Sequence, residues 1–159
     1  LGNFLEKILI SSCFLGNKVR YAGGDNLLVN TTLKRWKEDN RLVVICPELA
    51  GGLNTPRAPA EIQATGNTIV VTTITGQDVT YAFEQGANQA LLLCQKHNIR
   101  YALLKESSPS CGSSSIYNGQ FSQQKIAGQG VTTAILRANG IKVFSENNMQ
   151  RLINELTLS

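Results

Sequence analysis

The chain has 159 residues, 42% of them hydrophobic and only 16% charged, which excludes a disordered or low-complexity polymer and suits one globular domain over residues 1–159. Fifteen Lys and Arg against 11 Asp and Glu leave a net charge of +4 spread along the chain. There is no basic stripe of the kind a nucleic-acid binder shows, and no apolar stretch nears the length of a membrane span. The N-terminus has no basic stretch leading into a long apolar run, so a reducing cytoplasm is the expected compartment. Four cysteines there read as metal ligands, catalytic groups or core filler before disulfides.

In chain order, Lys7-Ile8-Leu9-Ile10-Ser11 is a short apolar run ending at Ser12-Cys13. Turn chemistry follows at Gly16-Asn17 and at Gly23-Gly24-Asp25-Asn26. Residues 26–40 hold one or two short helices, and Leu42-Val43-Val44-Ile45 is a second apolar run closed by Cys46-Pro47. Two prolines and two glycines within residues 51–59 read as a loop. The β-branched residues of 61–63 and 68–74 predict a small hairpin.

Asp78 is placed to cap a helix over about 79–98, in which Phe83, Ala87, Ala90, Leu91 and Cys94 share one face. Residues 99–104 are a third apolar run, followed by Lys105-Glu106-Ser107-Ser108-Pro109-Ser110-Cys111-Gly112. The Ser-, Gln- and Gly-rich stretch 113–130 reads as a long loop. A helix over 131–139 stops at Gly140. A fourth run, Ile141-Lys142-Val143-Phe144, precedes a last amphipathic helix capped by Ser145 and ending near Leu156. Apolar runs alternating with helices predict a three-layer α/β domain with a mostly parallel sheet and one inserted hairpin.

Ligands of open parallel sheets bind beyond the carboxyl ends of the strands. Cys13, Cys46 and Cys111 each follow a different apolar run, so three loops bring three thiols to one sheet edge. Cys94 sits on the apolar helix face and reads as a small core residue. His97 reads as decoration of that helix's last turn. Three convergent thiolates suit zinc, copper(I) or an iron–sulfur cluster. No Cys-x-x-Cys pair of a closed structural zinc site is present. A four-iron cluster normally takes four cysteines, so three would leave one iron open to act as a Lewis acid.

Several motifs match a single pattern in order: Ile10-Ser11-Ser12-Cys13-Phe14-Leu15-Gly16, Arg20-Tyr21-Ala22-Gly23-Gly24, Cys46-Pro47-Glu48 with Gly51-Gly52-Leu53, and Thr55-Pro56-Arg57-Ala58-Pro59-Ala60-Glu61-Ile62. Lys105 through Gly112 and Gly130-Val131-Thr132 through Ser145 complete it. Over nearly its whole length the chain resembles a small bacterial family, long catalogued as a domain of unknown function, whose characterised members are thiouracil desulfidases. The resemblance implies a Rossmann-like domain with an oxygen-sensitive [4Fe–4S] cluster on Cys13, Cys46 and Cys111. It implies removal of sulfur from a thiolated pyrimidine, giving the oxo base and sulfide, with Glu48 and Ser108 as catalytic residues. Ala22 and Ser107 depart from the family pattern, where a polar or acidic and a basic residue are expected.

On chemical grounds Glu48, two residues after a thiol, can take a proton from an attacking water. The competing reading has it accept a loop N–H. Ser108 or Ser110 can bond a pyrimidine edge or merely shape the Pro109 turn. Arg20, Asp25 and Arg57 are candidate pocket residues, against the alternative of surface ion pairs. Gly128-x-Gly130 before a helix is a candidate anion-binding turn, but it lacks a dinucleotide fingerprint, so no NAD or FAD is expected. The expected partner is a small thiolated base or nucleoside. Two other classes stay open: a metal- or sulfur-carrying module without turnover, and a structural zinc-thiolate protein.

Overall fold

The computed structural model describes residues 5–65 and 67–158. Four parallel strands, β1 (Ile8–Ser11), β2 (Leu42–Ile45), β5 (Tyr101–Leu103) and β8 (Lys142–Phe144), form a sheet in the order β2-β1-β5-β8. The side-chain period of two sends alternate residues to opposite faces. Ile8, Ile10, Tyr101, Leu103 and Phe144 pack with Leu33, Trp36, Met149 and Leu152 on one side. Leu9, Ala102 and Val143 pack with Ala90, Cys94 and Leu136 on the other. Helices α1 (Thr31–Glu38) and α5 (Met149–Leu158) thus cover one face, while α3 (Thr80–Lys96) and α4 (Val131–Ala138) cover the other.

These three layers are the architecture the apolar runs predict. The central strand is sealed, with Ile8, Leu9 and Ile10 all 0% exposed. Burying each such side chain stabilises the fold by about 1.5–3 kcal/mol. The chain reverses its winding between β1 and β5, so a crevice opens above their carboxyl ends.

The expected hairpin is β3 (Ala60–Thr65) with β4 (Thr68–Thr73), antiparallel and hung in the β2-to-β5 crossover. A second hairpin corrects the expected long loop over 113–130: β6 (Ser115–Tyr117) pairs with β7 (Lys125–Ala127) inside the β5-to-β8 crossover. Ser145 also departs from expectation. Its hydroxyl accepts the Asn147 N–H and builds a turn ahead of α5, which starts at Met149. Asp78 does serve α3, accepting the Thr80 N–H at 2.9 Å, and His97 sits at that helix's C-terminal cap.

A short helix, α2 (Pro47–Ala50), begins immediately after Cys46 with Pro at its first position. It lies on α3 so closely that a Cβ at Gly86 would fall 1.9 Å from the Pro47 carbonyl oxygen. Only glycine permits that contact, which fixes the depth at which the Cys-Pro-Glu corner enters the site.

Candidate active site and metal centre

Above the carboxyl edge of the sheet is a cavity of about 410 Å³, a volume typical of small-ligand sites. Cys13, Cys46 and Cys111 all line it, with Glu48, Arg20, Arg57 and Ser108. Cys94 lies apart in the core between sheet and helices. Each thiol of the three is held differently. Cys13 lies in the 3-10 turn Ser12–Leu15 directly after β1, hydrogen-bonded by the Asn26 side chain. Cys46 caps α2, and Cys111 stands in the loop between β5 and β6.

Ser108 organises that last loop. Its hydroxyl oxygen accepts the N–H groups of Ser110 at 3.0 Å and Cys111 at 2.9 Å. The oxygen is therefore committed to the turn, while the hydroxyl retains one proton to donate. Ser110 does not line the cavity, which corrects the expectation. It is fully buried, bonds the Thr132 hydroxyl at 2.8 Å and hydrogen-bonds the Cys111 thiol. A Cβ at Gly130 would meet the Ser110 backbone at 2.3 Å, so glycine is required where α4 abuts this loop.

The candidate anion site at Gly128-x-Gly130 is likewise corrected. The first N–H groups of α4, from Val131 and Thr132, already donate to the Pro109 and Ser110 carbonyls. That helix terminus holds the cysteine loop instead of a phosphate. Asp25 is the third correction: it does not line the cavity, and its carboxylate accepts the Leu27 N–H at 2.9 Å in a local turn.

Glu48 is 17% exposed at its side chain and pairs with the Arg57 Nε at 3.1 Å. Burial pushes its carboxyl up, against the pull of the guanidinium. The other Arg57 nitrogens donate to the carbonyls of Asn54 and Val19 and to the Thr55 hydroxyl. Arg57 thus spends four of its five N–H groups on orienting Glu48 and bracing two loops. Arg20 is exposed on the cavity rim, and Lys105 is paired with Glu146 at 2.6 Å.

Two functional residues were not singled out from the sequence. Glu106 lines the cavity yet is only 6% exposed. One of its oxygens accepts the N–H groups of Ser107, Ser113, Ser114 and Ser115, and the other accepts the Ser113 and Ser114 hydroxyls. Burial opposes its ionisation, but these bonds outweigh it and hold the carboxyl down to about 2. The signal available was a serine run seven to nine residues downstream, a run of donors suited to wrapping an anion. Glu61, 8% exposed, does similar work on the second hairpin, accepting the Gly119 and Phe121 N–H groups.

Burial is the main reason why the Cys13 and Cys46 thiols are raised and that of Cys111 is pushed up to about 12. The nearby Glu48 charge raises Cys46 and Cys111 further. Such thiols stay protonated unless a cationic centre takes the place of their protons. Among the described residues, no three Cys, His, Asp or Glu side chains form a group that could hold one metal ion. Three thiols that line one cavity are donors of the kind that bind an iron–sulfur cluster.

The fold and this cavity define a doubly wound α/β protein with three thiols and several carboxylates gathered at the sheet's switch point. Residues 8–148 match the 2-thiouracil desulfurase family, and the chain belongs to it. It is 41% identical over 152 residues to the uncharacterized protein YbbK of Bacillus subtilis (strain 168), covering 92% of this chain and 99% of that one. A solved structure, the [4Fe-4S]-dependent thiouracil desulfidase TudS, superposes with a TM-score of 0.93 at 49% identity, over 97% of this chain and 99% of that one. No helix among the described residues is long and apolar enough to cross a membrane.

Proposed function

We propose that the protein is an iron–sulfur-dependent, non-redox desulfidase that converts a thiolated pyrimidine of the thiouracil type to the oxo base and sulfide. The observation that carries this reading is the convergence of Cys13, Cys46 and Cys111 with Glu48 on one cavity. Family membership and the likeness to TudS support it. Cys13, Cys46 and Cys111 would hold a [4Fe–4S] cluster, and its uncoordinated iron supplies a Lewis acid for a soft thiocarbonyl sulfur.

The residues then divide the remaining work. Glu48, held by Arg57, accepts the proton of a water that adds to the ring carbon. The carbon–oxygen bond forms, the carbon–sulfur bond breaks, and sulfur leaves as hydrosulfide. The balance is thiocarbonyl plus water to carbonyl plus hydrogen sulfide, with no electron exchanged. Ser108, its oxygen fixed by two N–H donors, presents its O–H to the substrate edge. Arg57 and Lys105 are both tied to carboxylates, leaving few free cations on the cavity for a polyanion. The reading therefore favours a free base, or at most a nucleoside or mononucleotide.

The test is anaerobic reconstitution with iron and sulfide quantification, a visible spectrum, and turnover of 2-thiouracil. An enzyme releases more than one equivalent of sulfide per cluster. A carrier stops at one, and a structural zinc protein is colourless; either result would reject the proposal.

A further inference from the structure

Among the described residues, five other than glycine adopt positive φ: Asn40, Asn98, Ser107, Phe121 and Gln123. Asn40 and Asn98 lie just past the ends of α1 and α3, where asparagine commonly takes the left-handed conformation to close a helix. The other three all line the cavity. Ser107 at φ 69 is explained by its neighbours, since its N–H and hydroxyl serve Glu106 and Ser115. At the tip of the β6–β7 hairpin the Asn118 side chain accepts the Gln120 N–H at 2.9 Å and the Ser122 hydroxyl at 3.4 Å. These bonds tie down the residues on either side of Phe121, at φ 53, but not Phe121 itself or Gln123 at φ 61. For a bulky aromatic this backbone conformation is a true outlier, and strain of this kind persists only where surrounding structure enforces it.

The enforcing contacts are visible. Buried Glu61 on β3 accepts the N–H groups of Gly119 at 2.9 Å and of Phe121 at 3.2 Å. The Gln63 amide on the same strand donates to the Gly119 carbonyl. A carboxylate that accepts two N–H groups of the tip, one on each side of Gln120, holds the aromatic residue in place from outside its own hairpin. Phe121 is only half-buried and belongs to none of the three core clusters, so core packing does not account for the strain.

An aromatic side chain held at the wall of a small cavity has an evident use toward a flat heterocycle. We infer that Phe121 is a substrate-binding residue that supplies the stacking face for the pyrimidine ring, with Glu61 as the positioning residue that keeps it there. This inference rests on the thiolated-pyrimidine reading above.

The test uses the full chain, anaerobically reconstituted, with steady-state kinetics on 2-thiouracil and thermal unfolding measured in parallel. Phe121→Gly removes both the ring and the strain. It should raise KM roughly 5- to 100-fold, the range set by losing one base–aromatic stack, with kcat little changed. Its melting temperature should stay level or rise, because glycine takes positive φ freely. Phe121→Tyr should keep KM near that of the wild type. Glu61→Gln should raise KM less than Phe121→Gly does, again without a matching loss of kcat. An unchanged KM in Phe121→Gly, or a lowered melting temperature there with KM unaltered, would overturn the inference. A wild-type chain that turns over no thiolated pyrimidine would defeat the functional reading and this inference together, so the wild-type control distinguishes the two failures.

Discussion

The Cys46–Glu48 corner and the 106–115 loop each bring one thiol and one carboxylate to the same cavity, and they treat the carboxylate in opposite ways. Glu48 has a single charged partner, Arg57, and its carboxyl is pushed up by burial. Glu106 is wrapped by four N–H groups and two hydroxyls and is held down to about 2. The first carboxylate keeps lone pairs free to receive a proton. The second has nothing left to give or take, and its charge is spent on shaping the loop that carries Cys111. Two acids with surroundings that drive their proton affinities apart have different jobs.

The largest effect expected is common to both regions. Replacing Cys46 or Cys111 by Ser should remove bound iron and abolish turnover, read by iron analysis and sulfide release. The next pair separates the regions. Glu48→Gln should slow desulfuration by ~10²–10⁴-fold while leaving the visible spectrum and the melting temperature intact, since it removes a proton acceptor but no ligand. Glu106→Gln should act the other way round. It puts amide hydrogens against N–H and hydroxyl donors, and should cost on the order of 3 kcal/mol of folding stability in a urea titration. Equal losses of rate and stability in both variants would break the comparison.

A pH series sharpens it further. The Glu106 carboxyl is lowered on folding from its ordinary 4.5 to about 2. It therefore contributes stability that is fully present above pH 4.5 and is lost as pH falls from there toward 2. Urea unfolding across that window should show an acid limb in the wild type that is flattened in Glu106→Gln. The smallest effect belongs to the thiol outside the cavity: Cys94→Ala should change neither colour nor rate and should cost only the small stability of one buried sulfur.

The sheet was legible because its strands are apolar runs that must be buried on both faces, as Ile8, Leu9 and Ile10 are. The thiols were legible for the same reason: each follows a run, and runs end at one edge. The β6–β7 hairpin was not, because Lys125, Ile126 and Ala127 are all exposed and carry no alternation of apolar and polar residues. Asp25 and Ser110 looked like pocket residues from their position in loops, but short polar side chains bond first to nearby backbone and hydroxyl groups. Glu106 was hidden because its donors come from a segment that closes on it only in three dimensions. The strain at Phe121 has no sequence signature, since the carboxylate that enforces it lies 60 residues away in the chain.

That last cross-link has a consequence for how such a protein can be retooled. The two hairpins are inserted in separate crossovers, while Cys13 follows β1, Cys46 leads into α2 and Cys111 stands in the loop ahead of β6. Yet Glu61 and Gln63 on one hairpin hold the tip of the other through Gly119 and Phe121. The rim is therefore a single interchangeable collar made of two pieces. A graft that moves both hairpins together, keeping Ser115 as the bond to Glu106 and Ser107, can carry a new ring preference onto the same reaction centre. A graft of either hairpin alone strands a buried carboxylate on one side or two N–H groups on the other, and should fail as a fold before it can succeed as a change of substrate.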